Sequence, residues 1–197
     1  TKVLVQQAFK QTKIWYEQGK LEGRIAINLS AVHFQQASLI EDLAHYLSIF
    51  NISGRHFELE ITESAMMQDP EFALNQMNKL KTLGFSIALD DFGTGHSSLS
   101  YLKKFPIDTL KIDRSFIIDI TTSEQDRNIT STIIRLAKYL NISVVSEGVE
   151  TYAQAYLLHV MGCNVVQGYY FSAPVAVQEI ENLKITKKIK LSDQKAG

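Results

Sequence analysis

Asn28, Glu60, Asp90 with Asp91, Lys111 with Asp113, Glu147 and Gln167 are polar residues that break six short apolar runs, each near the run's carboxyl end. An ionisable group buried without a partner is strongly destabilising, so polar groups repeated on six successive runs must meet one another, a metal or a ligand. Singly, each has a plainer reading: Asn28 as the start of a turn, Glu60 as a solvated strand end, Asp90 or Asp91 as a helix N-cap, Lys111 and Asp113 as a surface pair. Jointly these fail, because independent capping would not put acids, an amide and one lysine at the same end of every run. The oxygen-only set Asn28, Glu60, Asp90 and Asp91 suits Mg²⁺ or Mn²⁺ rather than zinc. Adjacent acids leaving a strand can serve two ions a few ångströms apart.

The elements that must position these residues follow from a repeated pattern. Four amphipathic stretches end in Asn or Gly and feed an apolar run, at Asn51, Gly84, Asn141 and Gly162. Asn and Gly accept the left-handed conformation that closes a helix, so each reads as a helix end leading into a strand. Strands are expected at Arg24–Leu29, Phe57–Thr62, Ser86–Asp91, Thr109–Asp113, Ser143–Glu147 and Asn164–Tyr169. Helices are expected at Val3–Glu17, Leu39–Phe50, Pro70–Leu83, Ser97–Lys104, Glu124–Leu140 and Thr151–Met161. Six strands alternating with helices predict an α/β fold with a parallel sheet, either open or closed as a barrel. In a (β/α) barrel all carboxyl strand ends converge on one face, the place where the polar residues would meet. Between strand and helix, Asp90 to Ser98 carries Gly93 and Gly95, which allow close backbone approach, and Ser97 or Ser98 as a cap. It lacks the lysine of a P-loop, and a simple capped turn explains its spacing equally well.

With 197 residues, 45% of them hydrophobic and 21% charged, the chain has globular proportions and room for one sizeable core. Twenty basic against 21 acidic residues offer no global attraction to DNA, RNA or a membrane surface, so any nucleotide must be held locally. The lone Cys163 excludes an internal disulfide and fits a cytoplasmic setting. No apolar run approaches the ~18 residues of a membrane span, though the parent protein can still be membrane-anchored. The expected organisation is one domain over residues 1–184 and a basic tail over 185–197.

These runs resemble the EAL domains of bacterial cyclic di-GMP signalling. The resemblance rests on Asn28-Leu29-Ser30, Glu58 through Ser64, Asp90 through Leu99, Leu110 through Phe116, Glu147 through Thr151 and Gln167-Gly168-Tyr169, in family order and spacing. It implies a TIM-like (β/α) barrel whose first strand runs antiparallel to the rest. It also implies a site with two ions, Mg²⁺ or Mn²⁺, that hydrolyses one phosphodiester bond of cyclic di-GMP to give linear pGpG. By position, Asn28, Glu60 and Asp90 would be metal ligands, with Asp90 bridging to an ion held by Asp91. Glu147 would sit by the second ion and its water, Lys111 would orient that water or act on developing charge, and Gln167 would support the network. Glu63 would brace the loop of Phe92, Gly93, Thr94 and Gly95, which in the family also takes part in homodimer contacts, and Asp113 would hold Lys111. An accompanying sensory or GGDEF domain in the parent protein is implied as well.

The chain departs from the family pattern in three ways. The Tyr-Gln-Pro strand and the Glu-Ala-Leu strand that open a family barrel have no counterpart in it, so the barrel is expected to lack two strands and one metal ligand, with impaired catalysis and an exposed edge. His96 stands where Tyr is usual, and Ala173 where Arg or Lys precedes Pro174. An alternative is a degenerate EAL module that binds cyclic di-GMP or a protein partner without catalysis. A purely structural domain would leave the acids unexplained.

Overall fold

Alternation of side chains along β-strands, rather than a break at each strand end, organises the polar residues. The computed structural model describes residues 2–94 and 99–180. The chain forms two compact units, Thr1–Lys111 and Ile112–Gly197.

In the first unit the elements run α1 (Lys2–Glu17), β1 (Ile25–Leu29), α2 (Ala31–Phe34), α3 (Leu39–Phe50), β2 (Phe57–Thr62), α4 (Glu63–Met67), α5 (Pro70–Thr82), β3 (Ser86–Phe92), α6 (Leu99–Leu102) and β4 (Thr109–Ile112). Strands β1 to β4 are neighbours in sequence order, and β1 with β2 and β2 with β3 pair in parallel. Phe57, Leu59, Ile61, Ile87, Leu89 and Leu110 form one face, each at most 2% exposed. Helices cover that face: Phe9 of α1 stacks on Phe57 at 4.2 Å between ring centroids, and Leu43, Met77 and Leu80 complete the core. Each such apolar side chain contributes roughly 1.5–3 kcal/mol relative to exposure, which locks the strand register. The intervening residues Glu58, Glu60, Ser86, Ala88, Asp90, Thr109 and Lys111 must then share the opposite face, and the Thr109 hydroxyl donates to Glu58 Oε2 at 2.7 Å across it.

Asn28, Glu60, Asp90 and Lys111 do lie towards the carboxyl ends, but Glu58, Ser86 and Thr109 make the strands polar near their amino ends too, which corrects the expectation of otherwise apolar runs. Glu60 is the fourth of six residues in β2, and the strand continues to Thr62. The helix expected at Ser97–Lys104 is α6, Leu99–Leu102; Ser97 and Ser98 lie outside the described residues, and Lys103 follows in a turn.

The second unit begins at Ile112, the last residue of β4, whose carbonyl accepts from the Glu147 N–H at 3.1 Å. Its elements are α7 (Glu124–Tyr139), β5 (Ser143–Ser146), α8 (Tyr152–Val160), β6 (Val165–Val166) and α9 (Val177–Ile180), with β5 and β6 parallel. β6 is shorter than the expected Asn164–Tyr169. Gln167 still donates to Ser146, but its carbonyl accepts from Val149 and the chain then turns, Phe171 donating to Gly168. Cys163 is 1% exposed, and burial pushes its thiol pKa up despite a hydrogen bond with Ser146.

The four anticipated helix ends are present: Asn51, Gly84, Asn141 and Gly162 have φ of 46°, 90°, 57° and 95°. At the other end of α8, Thr151 and Gln154 form a reciprocal capping box. Thr151→Ala is expected to lower stability by about 1 kcal/mol in urea titration, whereas Thr151→Ser should be nearly neutral. Among the described residues no helix is long and apolar enough to cross a membrane. The lysines of the basic tail lie outside the described residues.

Candidate active site

Three strands of the first unit build a buried charge cluster. β2 carries Glu60, β3 carries Asp90 and β4 carries Lys111, all brought to one face by alternation. Lys111 Nζ lies 2.8 Å from Glu60 Oε2 and 3.0 Å from Asp90 Oδ1. The three residues are 5–8% exposed. At such distances, away from bulk water, the interaction is far stronger than in a surface pair, and removal of the lysine would strand two carboxylates.

Asp91 adds a third carboxylate through backbone geometry. A regular strand would send it to the face opposite Asp90, but Asp91 has φ of 55°, a left-handed conformation that Asp tolerates better than most residues. The Thr94 N–H and hydroxyl both bond to its carbonyl, at 3.3 and 2.8 Å, and hold the turn. Carboxylate oxygens of Asp90 and Asp91 consequently lie within 4.8 Å of each other. Asn28, an exposed residue of β1, is the register partner of Glu60, so its side-chain amide is set on the strand beside the cluster.

Glu63, the first residue of α4, is 2% exposed, and its Oε2 accepts from the Gly93 N–H at 3.1 Å. It thereby ties the start of α4 to the loop after β3. Phe92, the last residue of β3, is 6% exposed. Gly95, with His96, lies outside the described residues.

Asp113, Glu147 and Gln167 belong to the second unit. Asp113 is the N-cap of a 3₁₀ turn, Arg114–Phe116, and accepts from both the N–H and the hydroxyl of Ser115. Glu147 and Gln167 line a cavity of about 250 Å³ together with Arg114, Gly148, Glu150 and Tyr169. Sequence reasoning passed over Arg114 and Glu150, which form an ion pair across that cavity. A pairing 36 positions apart leaves no local signal, although both residues sit inside the runs quoted above.

The residues of the first unit fit a divalent cation. Among Glu60, Asp90, Asp91 and Lys111, three carboxylates stand against one ammonium, leaving two negative charges, and every available donor besides the lysine is oxygen. Such a set matches Mg²⁺, Mn²⁺ or Ca²⁺ and disfavours zinc.

The family model described as EAL domain matches residues 1–174. Signaling protein YkoW of Bacillus subtilis is 42% identical over 184 residues, 93% of this chain and 23% of that protein. The bifunctional diguanylate cyclase/cyclic di-GMP phosphodiesterase MucR of Pseudomonas aeruginosa is 38% identical over 177 residues, 90% of this chain and 26% of MucR. The chain thus spans about a quarter of the length of these curated relatives. The structure of PaMucR phosphodiesterase in its c-di-GMP complex is similar with a TM-score of 0.88 at 38% identity, over 91% of this chain and 72% of that one. Klebsiella pneumoniae BlrP1 in a manganese/cy-diGMP complex is similar with a TM-score of 0.76 at 28% identity, over 87% and 44%. With a fold shared with these structures and the family model covering residues 1–174, the chain belongs to the EAL domain family.

Proposed function

We propose that the protein hydrolyses one phosphodiester bond of cyclic di-GMP to give linear pGpG, as part of bacterial second-messenger signalling in the cytoplasm. The observation that carries this is the buried Glu60–Lys111–Asp90 cluster with Asp91 beside it, in a chain of the EAL domain family. The relatives named as cyclic di-GMP phosphodiesterases support the choice of substrate.

Asn28, Glu60, Asp90 and Asp91 would hold two divalent cations, Mg²⁺ or Mn²⁺. Bound there, the cations supply activation of water near neutral pH and neutralisation of charge on the phosphate. Lys111 is already desolvated and aimed at Glu60 and Asp90, so it can donate to the attacking water or to charge developing on the phosphate without reorganising. The family resemblance would give Glu147 a hydrogen bond from such a water and Gln167 a supporting role. Water oxygen forms the new bond to phosphorus, the ribose oxygen leaves, and the proton released from water ends on that oxygen. Glu63 holds the start of the loop after β3 through Gly93. Homodimer contacts near that loop and an accompanying sensory or GGDEF domain belong to the same proposal.

The test is incubation of the purified protein with cyclic di-GMP and Mn²⁺ or Mg²⁺, with products separated by ion-exchange chromatography. Formation of pGpG that stops on adding EDTA and returns with excess Mn²⁺ is the expected result. Saturable binding with no pGpG under any divalent cation would instead establish a binding module without catalysis.

A further inference from the structure

We propose that Arg114 is a positioning residue that clamps the turn carrying Glu147. The inference rests on the hydrolase reading above for its catalytic consequence, and on the geometry of the second unit for the clamp itself.

The turn Glu147–Glu150 has one loose joint. On its amino side the Glu147 N–H is fixed to the Ile112 carbonyl at 3.1 Å. On its carboxyl side Val149 is completely buried, its N–H donating to Gln167 and its carbonyl accepting from Tyr170, both at 3.0 Å. The Glu150 N–H donates to Gln154 Oε1 at 2.8 Å. Between these anchors sits Gly148, with φ of 69°, the residue type least able to hold its own conformation. What presses on that joint is the stem of Arg114: a Cβ added to Gly148 would fall within 2.8 Å of Arg114 Cδ and nearer still to its Cβ and Cγ. The far side of the turn is closed by Gly168, where an added Cβ would fall within 2.7 Å of the Val149 carbonyl carbon.

Arg114 is itself rigidly mounted. Asp113 caps its 3₁₀ turn, and its carbonyl accepts from Ile117 and Ile118 at 2.9 and 3.1 Å. Its guanidinium reaches over the turn to pair with Glu150, so stem and head hold both sides of Gly148. The Arg114 and Glu150 side chains are 57% and 44% exposed, and such a pair adds little to global stability. Its contribution is therefore to where the Glu147 carboxylate points, and small misplacements at a catalytic group are amplified into large rate losses.

Arg114→Ala is expected to lower kcat for cyclic di-GMP roughly tenfold to a hundredfold while KM stays within about threefold. Hydrogen exchange in the peptide over residues 147–151 should become faster, with α7 unchanged and the thermal midpoint close to wild type. Arg114→Lys, which keeps the stem and a cation, should recover most of both losses, and Glu150→Gln should show the same changes at smaller size. Four results would each overturn the proposal: unchanged exchange in Arg114→Ala, wild-type kcat in a working enzyme, a rise in KM with kcat retained (the mark of direct substrate contact), or no recovery with lysine. If the wild-type protein hydrolysed nothing, the function reading would fail, but the exchange comparison would still decide on the clamp.

Discussion

Asp90→Asn is expected to reduce pGpG formation by at least about a hundredfold and to lower Mn²⁺ or Mg²⁺ occupancy with it. Loss of a group that merely orients a ligand already costs 10–100-fold in metal affinity or activity, so loss of the proposed bridging carboxylate must cost no less. The substitution keeps an oxygen that can accept from Lys111 Nζ and from the Asp91 N–H, at 3.0 and 3.1 Å in the parent, so the fold should survive. What disappears is one negative charge in a buried cluster. Asp113→Asn provides the control: Asp113 caps the Arg114–Phe116 turn, and Asn caps about as well as Asp, so turnover should stay within about threefold. Metal content by atomic emission and product by chromatography read the two consequences separately. An Asp90→Asn protein that is folded, loaded with metal and near-normal in turnover would end the two-cation assignment.

Lys111→Met should have the largest effect on stability. Methionine keeps much of the stem volume and removes only the ammonium, leaving Glu60 and Asp90 as neighbouring buried carboxylates without their shared counter-ion. Breaking a buried pair in this way destabilises by about 3–5 kcal/mol. Urea denaturation in EDTA should show that loss. Millimolar Mn²⁺ should shrink it, because a divalent cation at the same carboxylates restores part of the missing positive charge and binds only the folded state. A loss of the same size with and without Mn²⁺ would mean that Glu60 and Asp90 do not bind cation together. Activity should fall even where Mn²⁺ restores stability, since the donor to water and phosphate is gone.

Much of the architecture was legible because its signals are local. Asn51, Gly84, Asn141 and Gly162 each close a helix through their own conformational preference, and that preference needs no distant partner. The apolar runs through Phe57, Ile87 and Leu110 announce strands for the same reason. The family runs, in their order and spacing, were enough to name the family and its fold.

Other features depend on contacts between distant segments. That Glu60 and Asp90 share a lysine from β4 follows from the registers of three strands, set by burial of Phe57, Ile61 and Leu89 on the other face. Strand alternation predicts that Asp90 and Asp91 diverge, and their approach comes from a left-handed Asp91 held by Thr94. β6 stops early because Val149 takes the Gln167 carbonyl and Gly168 passes against Val149, neither of which its apolar composition announces. Local chemistry thus settled which residues make helices and strands. Burial, register and backbone contact between segments tens of residues apart settled which charged groups touch, because those energies exist only once the chain has folded.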